Sequence, residues 1–331
     1  MYSLRQKINQ LFIAGYNGDN VDNCDTFKEL LKDGLGGAIF FTKNIKSAEQ
    51  FGKTTEKIRE LSLIPPFLSI DQEGGRVERT ENIHGGKKYL SAKDSADKGL
   101  DFVKEQTSEL CNELLSYGIN MNFAPVLDTN TNPKNPIIGV RSYGDNPDDV
   151  IKFGTEVFKI HQEKGIMPVG KHFPGHGDTS VDSHLEMPVV DLSEEEMAKS
   201  HLKPFKYAVD SGLDFMMIAH VYYPCYDKKP VPASLSKNVI RHLLREKLGF
   251  DGLVLSDDMV MGAVLHKDIS EVYTQGLMAG INVFLYRNSD ARLKQILNCL
   301  EENAKKNEEL LNEIEKSFEK VLELKRKYKL V

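Results

Sequence analysis

Short apolar segments alternate with amphipathic segments along the whole chain. Eight apolar segments rich in strand-forming residues predict β-strands at 11–16, 36–41, 66–71, 120–126, 167–173, 214–221, 252–258 and 281–286. These segments are nearly continuous apolar runs and do not alternate with polar residues. Such runs are typical of parallel strands that are covered on both faces.

The segments between the predicted strands show the spacing of helices. Segment 47–62 starts with Ser47 and has Gln50 three residues later, which is a capping-box pattern, and Ser193 with Glu196 repeats it before a helix that runs to about Asp210. The last segment has one apolar face at spacings of three and four, formed by Leu311, Ile314, Phe318 and Val321.

Eight strands that alternate with helices predict an α/β protein of the (β/α)₈ TIM-barrel type. We find no linker and no change of composition, so we expect a single domain over residues 1–331. An open doubly wound sheet is the alternative architecture, because strand order cannot be derived from the sequence.

Composition and charge exclude some classes of function. The chain has 331 residues and a net charge of −6, which argues against a general nucleic-acid binder. Four scattered cysteines (Cys24, Cys111, Cys225 and Cys299) form no C-x-x-C pair, which is typical of reduced thiols in a reducing compartment. The apolar run at 11–15 is too short for a signal peptide or a membrane span. We therefore expect a cytoplasmic monomer with no membrane or nucleic-acid partner.

Polar residues end five of the eight predicted strands. They are Asp71, Lys171 with His172, His220, Asp257 with Asp258, and Tyr286 with Arg287. An isolated Asp after a strand is often a helix cap. Several reactive residues at one rim of a barrel instead indicate an active site, because active sites of such barrels lie at the carboxyl ends of the strands.

The loop that follows the fifth strand is unusually rich in reactive residues. Segment 171–184, KHFPGHGDTSVDSH, holds three histidines and two aspartates, with glycines that permit unusual backbone angles. The residue types leave three interpretations open: a polar loop bonded to itself, catalytic groups, or a metal site formed by His172, His176, Asp178 and His184.

Six segments together resemble glycoside hydrolase family 3, in particular its single-domain bacterial β-N-acetylglucosaminidases of the NagZ-like, peptidoglycan-recycling type. These segments are KINQLFIAG (7–15), SIDQEGGRVER (69–79), NFAPVLD (122–128), NPIIGVRSYGDNP (135–147), KHFPGHGDTSVDSH (171–184) and LSDDMVMGA (255–263). They occur in order and span essentially the whole chain.

The resemblance implies a retaining mechanism without metal or cofactor. Asp257 matches the nucleophile, with Asp258 as the alternative, and His184 paired with Asp182 matches the acid/base group. A histidine suits this role because its pKa lies near neutral pH, and a neighbouring carboxylate would orient the ring.

The resemblance also implies the sugar-binding residues, which are Asp71, Arg79, Arg141, Lys171 and His172. Lys171 and His172 are adjacent and would point to opposite faces of a regular strand. Both can line the site only if the backbone is irregular there or one of them lies beyond the strand. The sequence departs from the family pattern at 80–96, so the shape of the loop after the third strand is not predicted.

The implied function is removal of terminal β-linked N-acetylglucosamine from peptidoglycan-derived disaccharides and muropeptides. The chain has neither the export signal nor the second domain of larger family members, which favours a cytoplasmic recycling role. Three alternatives stay open: a phosphorylase in which phosphate replaces water, a broader β-glucosidase-like enzyme, and a non-catalytic sugar-binding protein. The sequence does not identify the aglycone.

Overall fold

The strands form one parallel sheet that curls into a nearly closed barrel. The computed structural model describes residues 2–83, 88–179, 187–265 and 268–331. Its strands are β1 (Phe12–Ala14), β2 (Gly37–Phe40), β3 (Phe67–Ile70), β4 (Met121–Asn122), β5 (Met167–Pro168), β6 (Gly170–Phe173), β7 (Phe215–Ile218), β8 (Leu253–Asp258) and β9 (Val283–Tyr286). The order is β5-β4-β3-β2-β1-β9-β8-β7-β6. The predicted TIM-type barrel is confirmed and the open doubly wound sheet is excluded.

The predicted fifth strand, 167–173, is split into β5 and β6, which lie at the two ends of the strand order. β5 pairs with β4, whereas β6 pairs with β7. A parallel bridge between Val126 and Lys171 connects β6 to the segment after β4 and brings the two edges of the sheet together. The pair β5/β6 therefore occupies one of eight strand positions, and β8 is the seventh.

Helices cover the outside of the barrel. Within the described residues they are α1 (Leu4–Gln10), α2 (Asp25–Lys32), α3 (Ala48–Leu61), α4 (Ala92–Asp97), α5 (Leu100–Ser116), α6 (Pro147–Lys164), α7 (Glu194–Glu196), α8 (Leu202–Asp210), α9 (Gly262–Leu265), α10 (Ile269–Ala279), α11 (Ala291–Ala304) and α12 (Glu308–Lys327). Met197–His201 and Asn238–Lys247 are π-helical. No helix in these ranges is both long enough and apolar enough to cross a membrane.

The helix starts follow the sequence pattern with one exception. The capping box of Ser193 and Glu196 is present at α7, and the helical path then ends at Asp210 as predicted. At α3 the Ser47 hydroxyl accepts the N–H of Gln50, but the Gln50 side chain accepts the N–H of Lys46 and not that of Ser47. The reciprocal half of the predicted box at Ser47 is therefore wrong.

The last helix, α12, closes the amino-terminal end of the barrel. Ile314, Phe318 and Val321 are buried as predicted, but Leu310 takes the fully buried position that was expected of Leu311. The helix also buries Lys325. Its Nζ donates to Gln10 Oε1 at 2.8 Å and to the carbonyl of Gly36 at 3.1 Å, and it lies 4.7 Å from the centre of the Phe67 ring. Burial lowers the pKa of Lys325 to about 7.

Candidate active site

A cavity of about 200 Å³ opens at the carboxyl ends of the strands. Its walls come from the ends of six strands and the loops beyond them, as expected for a barrel of this type. The lining residues are Phe41, Asp71, Val77, Arg79, Ile137, Arg141, Lys171, His172, His176, Met217, Asp257, Asp258, Met261, Leu285 and Arg287. The structure therefore brings together all five predicted sugar-binding residues and the predicted nucleophile.

Asp257 and Asp258 end β8 and have different surroundings. Asp257 Oδ1 accepts the N–H of Asp258 at 2.7 Å, and the carboxylate faces the cavity. Burial acts to raise the pKa of Asp257, but the electrostatic interaction with His172 and the hydrogen bond from the N–H of Asp258 act in the opposite direction, and the pKa lies below its ordinary value. Asp257 is therefore ionised and available to attack an anomeric carbon, which is the state that a nucleophile requires.

Asp258 is held by hydrogen bonds and by an arginine. Its Oδ1 accepts the N–H of Val260 at 3.1 Å, and its Oδ2 lies 3.0 Å from Nε of Arg287. Burial raises the pKa of Asp258 to about 6, although Arg287 acts in the opposite direction. Because both oxygens of Asp258 have partners, its carboxylate supports the end of β8 and is less suited than Asp257 to attack a substrate.

A buried group of opposite charges forms the floor of the cavity. Nζ of Lys171 lies 2.7 Å from Asp71 Oδ1 and 2.6 Å from Glu73 Oε1, and the Lys171 side chain is only 2% exposed. Glu73 also accepts two bonds of 2.8 Å from Nε and a terminal nitrogen of Arg141. Such bidentate, charge-assisted bonds fix both partners. Glu73 therefore positions Lys171 and Arg141 relative to each other.

Asp128 positions the histidine-rich loop, as Glu73 positions the two cations. Nδ1 of His172 donates to Asp128 Oδ2 at 2.7 Å, and the N–H of His176 donates to Oδ1 at 2.7 Å. Burial acts to raise the pKa of Asp128, but His172 outweighs it and the pKa is lowered. A fully buried, ionised Asp128 cannot donate a proton to a leaving group. Its role is to orient His172 and to anchor the first turn of the loop.

The backbone around Lys171 and His172 is irregular, so these adjacent side chains do not point to opposite faces as they would in a regular strand. The register between β6 and β7 shifts between Gly170 and Phe173, and the peptide bond between Lys171 and His172 is cis. Both side chains line the same cavity. The irregular backbone was one of the two conditions that the sequence set for this arrangement.

Arg79 forms the outer wall together with Phe41. A terminal nitrogen of Arg79 lies 3.7 Å from Asp71 Oδ2, and its guanidinium carbon lies 5.7 Å from the centre of the Phe41 ring. The backbone N–H of Arg79 donates to Gln72 Oε1 at 2.8 Å. Asp71 therefore lies between two cations, Arg79 and Lys171, which leaves it well placed to accept hydrogen bonds from sugar hydroxyls.

The loop after β6 packs closely on the segment after β4. Gly177 leaves no room for a side chain, because a Cβ there would lie 1.7 Å from the carbonyl oxygen of Thr129. Asp178 accepts a bond of 3.0 Å from the hydroxyl of Thr131. The described part of the loop, up to residue 179, is thus held against the segment that follows β4.

Two predicted catalytic residues, Asp182 and His184, lie outside the described residues, and so does one member of the hypothetical metal site. In the described ranges no group of three His, Cys, Asp or Glu side chains could hold a metal ion. His172 and His176 direct their Nδ1 atoms to Asp128 and Thr179. The absence of a metal stays a prediction.

Sequence reasoning assigned no supporting role to Glu73, Asp128 or His220. His220 Nε2 donates to the carbonyl of Asp258 at 3.2 Å, and its Nδ1 accepts the Ser234 hydroxyl at 2.7 Å. Burial lowers the pKa of His220. A neutral His220 therefore fixes the backbone at the end of β8. The signal for Glu73 was a charge imbalance, since the five predicted sugar-binding residues include three cations (Arg79, Arg141 and Lys171) and one carboxylate (Asp71).

Comparisons with known proteins show the family of the chain. The family model "Glycosyl hydrolase family 3 N terminal domain" matches residues 3–324. A beta-hexosaminidase of Thiobacillus denitrificans is 34% identical over 281 residues, which are 83% of this chain and 77% of that protein. Beta-hexosaminidase A of Pseudoalteromonas piscicida is 36% identical over 255 residues, but these are 70% of this chain and only 42% of the relative.

A solved structure extends the likeness to the whole fold. The glycoside hydrolase family 3 β-N-acetylglucosaminidase of Paenibacillus sp. str. FPU-7 superposes with a TM-score of 0.93 at 36% identity. The match covers 100% of this chain and 63% of that one, so this chain spans less than two thirds of the neighbour. The chain therefore belongs to glycosyl hydrolase family 3.

Proposed function

We propose that the chain is a retaining β-N-acetylglucosaminidase that removes terminal β-linked N-acetylglucosamine from peptidoglycan-derived disaccharides and muropeptides in the cytoplasm. The names of the relatives support the sugar, and the cavity of about 200 Å³ has room for one such ring. Asp71, Lys171 and His172 would bind its hydroxyls, with Arg79 and Arg141 beside them.

In the proposed first step Asp257 attacks the anomeric carbon and the bond from that carbon to the leaving oxygen breaks. The leaving oxygen takes a proton from His184, whose protonated form Asp182 would stabilise. In the second step His184 removes a proton from water, water attacks the same carbon, and Asp257 is released. Two inversions retain the β configuration.

One observation carries the choice of a histidine as the acid. Among the described residues that line or support the cavity, every carboxylate except Asp257 is already engaged by cations or histidine. Asp71 and Glu73 face Lys171, Asp128 binds His172, and Asp258 faces Arg287. The usual second carboxylate of a retaining site is thus not free here. An acid/base group must then come from elsewhere, and the loop anchored at His176 leads to Asp182 and His184.

Leaving-group dependence tests this proposal. In His184→Ala, cleavage of a natural disaccharide, whose leaving oxygen needs a proton, should fall by about 10²–10⁴-fold. A dinitrophenyl β-glycoside of N-acetylglucosamine needs no such proton, so a burst followed by a low steady rate should appear. His242→Ala is the matched control, because His242 is exposed and pairs only with Glu246 in the described structure. Equal slowing of all leaving groups without a burst would reject His184 as the acid.

Two further arms of the same experiment separate the alternatives. Product analysis with and without inorganic phosphate distinguishes hydrolysis from phosphorolysis, because only phosphorolysis yields a sugar 1-phosphate. Aryl β-glycosides of N-acetylglucosamine and glucose distinguish the two sugars. A site built around the 2-acetamido group should disfavour glucose strongly, since its polar groups would lose their partners.

A further inference from the structure

The cations of the cavity are not equivalent, and Arg287 differs from the others. Lys171 and Arg141 are buried and neutralised by Glu73, with side chains that are 2% and 12% exposed. Arg287 follows β9 at the rim, and its side chain is 40% exposed. It therefore presents positive charge to solvent at the mouth of the cavity, where a ligand can reach it.

Asp258 orients Arg287 through Nε and does not engage its two terminal nitrogens. Oδ2 of Asp258 lies 3.0 Å from Nε of Arg287, and Oδ1 accepts the Arg287 backbone N–H at 3.4 Å. Among the described residues, none receives a hydrogen bond from the two terminal nitrogens of Arg287. A guanidinium fixed through Nε keeps the planar pair of N–H donors that suits a carboxylate.

The barrel geometry places Arg287 on the aglycone side. β3 and β8 are the third and seventh of eight strand positions, so Asp71 and Asp257 lie across the barrel from each other. A sugar ring bound by its far hydroxyls at Asp71 and attacked at its anomeric carbon by Asp257 has its anomeric end at the β8 side, and its aglycone leaves from that end on the face opposite Asp257. Arg287 and Met261 line the cavity on that side.

We propose that Arg287 is a specificity-determining residue that binds a carboxylate on the aglycone, so the preferred substrates carry an acidic aglycone next to the N-acetylglucosamine. This inference rests on the proposed function. The carboxylate has two sources in muramyl compounds: the free lactyl group of the sugar, or the peptide attached through that group. Arg287 contacts Asp258, the residue after Asp257, and lines the same cavity as Asp257, which favours the lactyl carboxylate because it is the carboxylate nearer to the bond that breaks.

Paired substrates test the proposal on the intact enzyme. N-acetylglucosaminyl-muramic acid with a free lactyl group is compared with its lactyl methylamide, with its dipeptide conjugate, and with chitobiose. The wild type should cleave the free acid with a kcat/KM about 5-fold higher than the neutral methylamide, as an exposed ion pair at the upper end of its range gives. The preference should shrink with added salt. A preference for the dipeptide conjugate over the methylamide instead identifies the peptide carboxylate.

Three variants assign the preference to Arg287. Arg287→Gln should abolish the ratio between charged and neutral aglycones, whereas Arg287→Lys should keep most of it. Arg326→Gln is the matched control, because Arg326 is exposed on α12 at the opposite end of the barrel and its loss changes net charge equally. If Arg287→Gln acted only by removing the partner of Asp258, kcat/KM would fall for all substrates and the ratio between charged and neutral aglycones would stay unchanged.

The outcomes separate this inference from the proposed function. Equal wild-type rates on free acid and methylamide would overturn the role of Arg287 while leaving the glycosidase intact, and so would a ratio that survives in Arg287→Gln. Activation by inorganic phosphate that disappears in Arg287→Gln, without any aglycone preference, would assign Arg287 to an acceptor anion and overturn the proposal. Failure to cleave any of the four substrates would instead refute the proposed function.

Discussion

Replacement of Glu73 by Gln tests whether the buried charges of the cavity floor form one unit. Glu73 receives two bonds of 2.8 Å from Arg141 and one of 2.6 Å from Lys171, and its side chain is 4% exposed. The amide of the variant would keep one carbonyl acceptor but no charge. Two buried cations would then lose their shared partner, which is far more costly than loss of a surface pair.

The magnitude follows from what remains after the substitution. Removal of one partner from a buried ion pair costs about 3–5 kcal/mol. Lys171 keeps Asp71 at 2.7 Å and Arg141 keeps the carbonyl of Ile137 at 3.1 Å, so we expect the lower end, about 3 kcal/mol. At about 2 °C per kcal/mol for a large domain, the Tm should fall by about 6 °C.

Calorimetry and kinetics measure the two effects in one protein. Displacement of Lys171 and Arg141 by about 1 Å should lower kcat/KM for an N-acetylglucosaminide by about 10²-fold. Glu313→Gln is the control: Glu313 pairs with Arg241 at 2.8 Å in a partly exposed position, and its loss should cost less than about 1 kcal/mol. A Glu73 variant as stable and active as the Glu313 variant would refute the reasoning.

The pH dependence of stability gives a second test of the role of the Glu73 charge. Burial acts to raise the pKa of Glu73, but Arg141 and Lys171 outweigh it and hold the pKa far below its ordinary value. A depressed pKa contributes stability that is fully present above the unfolded value, about 4.3, and is lost as the pH falls toward the folded value. The stability gap between wild type and Glu73→Gln should therefore be constant from about pH 7 to 5 and narrow below about pH 4.

Two further predictions concern the other buried charges. Asp257→Asn should abolish turnover and prevent labelling of residue 257 by a slow fluorosugar substrate, whereas Asp258→Asn should reduce the rate less; label at Asp258 would reverse the two roles. For Lys325, the lowered pKa means that the unfolded chain binds more protons between about pH 7 and 10, so wild-type stability should rise there. Denaturant titrations at about pH 7 and 9 should show that the wild-type free energy of unfolding rises between these pH values by on the order of 2 kcal/mol more than that of Lys325→Met. Exposed Lys316→Met is the control. An equal change with pH in wild type and Lys325→Met would contradict the prediction.

The strands were predictable because their physical signal is local. A parallel strand covered on both faces must be apolar throughout, and each of the eight predicted segments contains a strand of the barrel. The break at Val169 was not predictable, because it depends on which neighbours pair with β5 and β6. The same limit applies to Ser47, where the Gln50 side chain reaches Lys46 and not the cap residue.

The residues that line the cavity were predictable, and their supports were not. Asp257 and the five predicted sugar-binding residues lie in motifs whose resemblance to the family is specific, and all six line one cavity. Glu73, Asp128 and His220 act through partners that are distant in sequence, such as Arg141, 68 residues away from Glu73. Only strand order and register bring such pairs together. A count of charges indicates that supports are needed, but not which residues supply them.

Under the proposed function, the pairing of charges explains how one small cavity would bind a neutral sugar and still stabilise a charged transition state. Glu73 and Asp71 neutralise Lys171, Arg141 and Arg79 in part, so these groups present polarised hydrogen-bond partners to the cavity. Among the described carboxylates that line the cavity, Asp257 is the one without a cation in direct contact. In the proposed mechanism the developing oxocarbenium ion carries positive charge at the carbon that Asp257 would attack, next to a carboxylate with no cation in direct contact. Pairing of the other charges in the cavity would leave that carboxylate available to stabilise the transition state.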